Sequence, residues 1–440
     1  MIQLTAAVSP DTGDTAWLLT SAALVLLMVP GLALFYGGMV RVKSVLNMMM
    51  MVFGALAVVM VVWLFLGYSL AFGDDLGGGL LGDPTQYFGL SSLVEAQEGA
   101  TDLIVFAAFQ GLFCAITVGL IAGAIADRVK FGTWLLFAGL WTVLVYAPVA
   151  HWIFYYGDDT HAGGWMYDRL GALDFAGGTA VEINSGAAGL AAALVLGRRL
   201  GFGKDPMKPH NLTLTMIGAG LLWFGWFGFN AGSALAANHT AAIVFVNTLM
   251  AGCTGLLAWT LVEKVRDGHA TSFGAASGVV AGLVAITPSC GAVSPVGATV
   301  VGVVAGAVCS VAVGWKHRFG YDDSLDVVGV HLVGGLVGTL LIGLLANSTV
   351  LGSDVEGLLY GGGFDQLGKQ AVAAVATFSF SLLMTALLVW LLDRTVGFRV
   401  DPDDEALGVD LVIHAEAAYD LHPTGGARPH VGPGSGTLHF

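Results

Sequence analysis

Eleven long, nearly unbroken apolar stretches separated by polar runs set the pattern of this chain. They lie at roughly 16–38, 48–72, 102–124, 131–155, 176–197, 212–235, 240–262, 271–288, 296–315, 326–347 and 370–392. Each approaches or exceeds the length a helix needs to cross a hydrocarbon layer about 30 Å thick. The pattern predicts an all-α membrane protein with eleven transmembrane helices. It divides into a transmembrane unit, 1–393, and a polar Gly- and Pro-rich tail, 394–440.

Two of the stretches share a grammar. Residues 171–190, GALDFAGGTAVEINSGAAGL, open with Asp174 and place Glu182 deep in an apolar helix. Residues 325–338, LDVVGVHLVGGLVG, open with Asp326 and place His331 where Glu182 stood. Gly186 and Gly189 follow Glu182 at plus four and plus seven, as Gly335 and Gly338 follow His331. A charge at such depth costs about 2.5–3.5 kcal/mol even on lenient insertion scales, so each polar group needs a partner. The pattern predicts that Glu182 and His331 meet, as the central helices of two internal repeats at about 16–197 and 212–347. The plainer reading is two unrelated Gly-rich helices, each with one satisfied polar residue. Five spans per repeat is an odd number, so the repeats would insert in opposite senses, with helix 11 (about 370–392) added. Substrate sites of inverted-repeat transporters lie near the midplane. At 1.5 Å per residue, Glu182 is about 12 Å along from Asp174 and His331 about 8 Å from Asp326.

Charge placement orients the chain. Of 17 Lys and Arg, only Arg169 and Lys369 fall on the face opposite the others when eleven spans are counted. The basic face is cytoplasmic by the positive-inside rule. The N-terminus is then outside, the C-terminus inside, and the start, MIQLTAAVSPDTGDTAW, lacks the basic opening of a cleaved signal.

Composition narrows the function. The chain is 56% hydrophobic and 11% charged over 440 residues, and its 64 glycines suit close helix approach. A net charge of −14 argues against nucleic acid as a partner. Cys114, Cys253, Cys290 and Cys309 form no metal or disulfide spacing and read as small buried hydrophobes; neither cofactor nor metal is expected. Acidic loops at 73–101 and 156–173 either concentrate cations at an entrance or are simply solvated surface. An intramembrane enzyme using Glu182 and His331 would need a nucleophile or metal triad, and none accompanies them.

Three further stretches carry a resemblance. Helix 3 holds FAAFQGLFCAITVGLIAGAIADR, helix 6 holds WFGWFGFNAGSA, and helix 1 ends in FYGGMVRVKSVLNM. With LDFAGGT and GVHLVGGLVG, in this order on these spans, the chain resembles the ammonium transporter (Amt/Mep/Rh) family, on its Amt/Mep side, over about residues 15–420. The resemblance implies a homotrimer in the plasma membrane with one pore per subunit. It also implies ammonium and ammonia as substrates and a cytoplasmic PII-type regulatory partner. By motif, Ser233 supplies the outer hydroxyl, with Phe113, Trp226, Phe154 and the supporting acid Asp174 around it. Phe113 and Phe229 are the stacked phenylalanine gate, although spacing alone fits core packing equally well. Glu182 and His331 are the pore pair and proton relay, Glu182 replacing the first histidine of most members, as in some fungal ones. Phe154 stands where the family usually has tryptophan, followed by an inserted YYGDDTHA, so Trp152 or Trp165 are alternative cation-facing rings. Asp174, and at the inner mouth Asp326, read as helix N-caps. His151 reads as a packing residue. The alternative function is an ammonium sensor signalling through its tail with little flux.

Overall fold

The computed structural model describes residues 10–95, 101–158 and 160–419. Its long helices are α1 (Thr12–Met39), α2 (Val42–Phe72), α3 (Leu103–Ala124), α4 (Phe131–Phe154), α5 (Gly178–Leu196), α6 (Leu212–Gly232), α7 (His239–Asp267), α8 (Ser272–Ile286), α9 (Pro295–Phe319), α10 (Val328–Leu345) and α11 (Asp365–Thr395). Ten are long and apolar enough to cross a membrane; α8, at the predicted span 271–288, is a shorter apolar helix of 15 residues. The chain is a multi-pass helical membrane protein.

Local chemistry sets several boundaries. Asn211, Asn238, Thr271 and Ser294 cap α6 to α9, each accepting from a first-turn amide. Pro295 occupies the first turn of α9, where its missing N–H costs nothing. α5 stops at Gly197, whose φ of 77° favours glycine.

Packing is inside-out relative to a soluble bundle. On α11 the buried face carries Gln366, Gln370, Thr377, Ser381 and Thr385, while Leu383, Leu387, Trp390 and Leu391 are exposed. Those exposed side chains suit a hydrocarbon surround; the polar stripe must find partners inside. It does so at the site: Ser381 donates to the Asn184 carbonyl at 2.7 Å, and Gln370 brackets the backbone of Leu173 with two bonds of 2.7 Å. α1 lies along α6 at backbone contact. A Cβ on Gly218 would stand 2.3 Å from the Phe35 amide, and one on Gly225 2.6 Å from the Leu24 carbonyl.

The ends of the bundle differ. At one end, Asp127, Arg128, Arg199 and Asp322 form a buried ion-pair network, joined by Arg41. Burial works against the Asp322 carboxylate, but Arg199 and Arg128 outweigh it and hold it below the ordinary range. The tail crosses this end as two short helices, α12 (Pro402–Leu407) and α13 (Val409–His414). Lys43 Nζ donates to the last carbonyls of α12, and the Asp410 carboxylate accepts from the amides of Leu46 and Asn47. The segment LGVDLVIHAEAAYD is tied to this face up to Tyr419; the Gly-rich terminus lies outside the described residues.

Candidate functional site

The site is made where α5 and α10 cross. A Cβ on Gly186 would sit 2.4 Å from the Leu332 amide; one on Gly335 would sit 2.8 Å from Glu182 Cβ. Only hydrogen fits at either position, so the two backbones come close enough for short side chains to meet. Both helices open on a widened π-type turn, Gly178–Ile183 and Val328–Leu332, and these turns carry Glu182 and His331. Such turns bring an extra residue onto the inner face and recur at functional sites. Glu182 Oε2 lies 2.7 Å from His331 Nδ1, with the two residues 1% and 3% exposed. The bond leaves His331 Nε2 without a partner among the described residues.

His331 stands between two small cavities, each roomy enough for about one water-sized molecule. The first is walled by Glu182, Leu32, Ile116, Leu222, Trp226 and Phe229, a largely apolar lining. The second, on the tail side, is walled by His331, Tyr36, Ser277 and Asp326 among apolar neighbours. Phe229 borders the first cavity and stacks on Phe113, ring centroids 3.8 Å apart and planes 12° from parallel. Phe109 packs on the far side of Phe113 at 4.8 Å. A conduit through this line must pass the stacked rings and then the carboxyl–imidazole pair.

The remaining predicted residues divide. Ser233, half-buried at the end of α6, turns its hydroxyl back to the Phe229 carbonyl at 2.8 Å and so sits one helical turn beyond the stacked rings. Trp226, grouped with the outer residues by sequence, stands instead in the wall of the Glu182–His331 cavity. Its indole N–H donates to Thr287 Oγ1 at 2.8 Å, which fixes the ring there. Helical period explains the difference: Trp226 precedes Phe229 by three residues and therefore lies a turn deeper. Phe154 ends α4 and is buried. Trp152 and Trp165 pack on each other at 5.8 Å, and Trp152 also packs on Phe380 of α11 at 4.7 Å. His151 is fully buried between the Ala71 carbonyl and Asp75, stacked on Tyr155.

The acids at the helix starts show a register the sequence reading misplaced. Asp174 accepts from the amides of Gly177, Gly178 and Thr179 at 2.7–2.8 Å and from the Thr179 hydroxyl. At α10 the corresponding acceptor is Asp323, which takes the amides of Val327 and Val328 at 3.1 and 2.7 Å. Asp326, expected to cap α10, does not. It pairs with Lys316 Nζ at 2.6 Å. Asp174 precedes Glu182 by eight residues and Asp323 precedes His331 by the same eight. Asp326 falls opposite Gly177, and both have left-handed backbones, φ 64° and 113°. Burial pushes the Asp323 carboxyl up to about 6, against the opposing pull of Lys316.

Three residues that matter were not picked out from sequence: Gln370, Lys316 and Asp323. The eight-residue acid spacing would have found Asp323, and the four-residue polar steps of α11 would have found Gln370. Lys316 had no local signal. Away from the Glu182–His331 pair, the inserted loop brings His161 to Asp74 and Asp158, their ligand atoms within 4.8 Å of one another. Histidine spacing in the sequence gave no hint of this, because Asp74 is distant along the chain. Thr160 and His161 already bond Asp158, so the group orders its own loop.

Comparison with known proteins bears on all of this geometry. A sequence model of the Ammonium Transporter Family matches residues 16–419. An "Ammonium transporter" of Mycobacterium tuberculosis (strain ATCC 25618 / H37Rv) is 54% identical, over 95% of this chain and 92% of its own length. One of Aquifex aeolicus (strain VF5) is 47% identical, covering 93% and 94%. Among solved structures, Candida albicans Mep2 is similar with a TM-score of 0.83 at 36% identity, over 90% of this chain and 88% of that one. A structure described as "Sensor Amt Protein" gives 0.84 at 28% identity, over 91% and 98%.

Proposed function

Since the chain belongs to the Ammonium Transporter Family, we propose that it recruits ammonium at the face opposite its tail, strips a proton there, and conducts ammonia past the Glu182–His331 pair. The supporting observation is that pair: a carboxyl bonded at 2.7 Å to an imidazole, buried behind two stacked rings in an apolar line. Ammonium differs from potassium in donating directed hydrogen bonds and in being able to lose a proton. The Ser233 hydroxyl can accept such a bond, and aromatic faces attract a cation by about 0.5–2 kcal/mol. An apolar pore then bars the ion and admits neutral ammonia. Asp174 acts indirectly, its carboxylate engaged by the first amides of α5. Trp226 lines the pore below the gate. On this reading the protein is a homotrimer of the plasma membrane, N-terminus outside, with the tail offering its cytoplasmic face to a PII-type partner.

Replacing the carboxyl tests the reading. Glu182→His keeps transport and shifts its pH dependence, read as ammonium uptake by a strain lacking its own transporters. An unchanged profile with normal expression would sink the relay. The sensor alternative draws on the likeness to a structure so described. It predicts that the wild-type chain fails to restore growth of that strain on low ammonium.

A further inference from the structure

The relay as drawn accounts for how a proton reaches His331 but not for how it leaves. On the tail side of His331 the second cavity has one acidic wall residue, Asp326. Asp326 and its partner Lys316 are each 15% exposed as side chains, so solvent reaches the pair. His331 and Asp326 both line this cavity, which is roomy enough for about one water, the kind of bridge through which a carboxyl and an imidazole can exchange a proton. Asp326 is also held in place. Lys316 Nζ bonds its carboxylate at 2.6 Å and the Asp323 carbonyl at 3.0 Å, which fixes α9 to the start of α10. The Asp326 backbone is left-handed, a conformation aspartate and asparagine tolerate, where the other repeat has Gly177. An aspartate there puts a carboxyl at the inner mouth where the matching outer position has none.

We propose that Asp326, positioned by Lys316, is the cytosolic terminus of the proton relay, an inference that rests on the relay reading of Glu182 and His331. The proton leaving the carboxyl–imidazole pair crosses the tail-side cavity, protonates the Asp326 carboxylate and is released to cytosolic water, restoring the carboxylate. One O–H bond forms and breaks, and no other reactant is consumed. The groups facing Asp326 are Lys316 on α9, Tyr36 on α1, His331 on α10, and Asp323 and Tyr321 on the approach to α10, with Arg199 acting on Lys316 from α5's end. Lys316 has a second effect: its charge opposes the return of cations through the inner mouth.

The test uses full-length protein in oriented proteoliposomes, with charge movement recorded after an ammonium pulse while the pH of each face is set separately. Asp326→Asn is the informative variant, because asparagine tolerates a left-handed backbone. It is expected to cut the charge movement roughly tenfold or more and to change its dependence on tail-side pH, with half-saturation by external ammonium unchanged. Asp326→Glu is expected to restore much of the current. Lys316→Met is expected to shift the tail-side pH profile alone. Glu182→Gln, run in parallel, separates the two ideas. If Glu182→Gln alters the current and Asp326→Asn matches wild type at every tail-side pH, the exit assignment is wrong and the relay stands. If both variants match wild type, the relay reading itself falls.

Discussion

At the scale of single residues, the site is a set of buried polar groups, some held by partners a few residues away and some by partners far along the chain. Asp174 and Asp323 are the clearest case. Each is a buried carboxyl that satisfies the first amides of a central helix. For Asp323, titration separates it from the ion-pair network beside it. Asp323 is raised from 3.8 to about 6 by burial. A folded value above the unfolded one means the folded state favours the proton. The associated stability is complete below about pH 4 and lost as pH rises through 6. Asp322 has the opposite sign and loses its contribution only as pH falls below the ordinary carboxylate value, outside that window. Asp323→Asn keeps an acceptor for the amides and removes the titration. Its melting temperature in detergent is expected to fall less than wild type between pH 5 and 7.5. An equal fall in both proteins would show that Asp323 does not carry the effect.

At the scale of elements, the crossing of α5 and α10 decides whether a site exists. Hydrogen bonding between Glu182 and His331 needs their helices at backbone contact, and Gly186 and Gly335 permit it reciprocally. Gly186→Ala places a methyl 2.4 Å from a backbone amide that cannot turn aside. Overpacking of this kind costs about 1–3 kcal/mol, and here it also separates the pair. Gly186→Ala is therefore expected to lower thermal stability and abolish ammonium uptake. Gly220→Ala, at a position of α6 where a Cβ meets nothing within 4 Å, is expected to leave both unchanged. Equal behaviour of the two variants would remove the close crossing as the cause.

At the scale of the whole molecule, the tail closes the structure on one face. Asp410 supplies the only side-chain bonds to the amides of Leu46 and Asn47 among the described residues, and Lys43 caps α12 in return. Arg399 and Glu405 extend the strap to the end of α5, through the Leu196 carbonyl and the Leu200 amide. Losing Asp410 leaves the Leu46 and Asn47 amides near the start of α2 without their side-chain acceptor. Asp410→Ala is expected to speed proteolytic cleavage after Arg399 several-fold, with the membrane-spanning helices intact by mass. Cleavage at the wild-type rate would mean that the strap does not depend on Asp410.

Much of this was legible in the chain. Apolar runs of membrane length, the asymmetric Lys and Arg, and the paired segments around Glu182 and His331 follow from period, charge and spacing, which are properties of sequence. The meeting of that carboxyl and imidazole was expected because an intramembrane polar group must find a partner. What needed the tertiary structure were choices among nearby candidates. The acid capping α10 is Asp323 and not Asp326, because a left-handed residue turns the chain between the cap and the helix. Trp226 lines the Glu182–His331 cavity, because one helical turn carries it past Phe229 and Thr287 anchors it. Lys316 gave no sign of its role, since its partner comes from another helix's approach. Depth, facing and cross-chain pairing depend on where backbones cross, and that was set by Gly186 lying against Leu332 and Gly335 against Glu182.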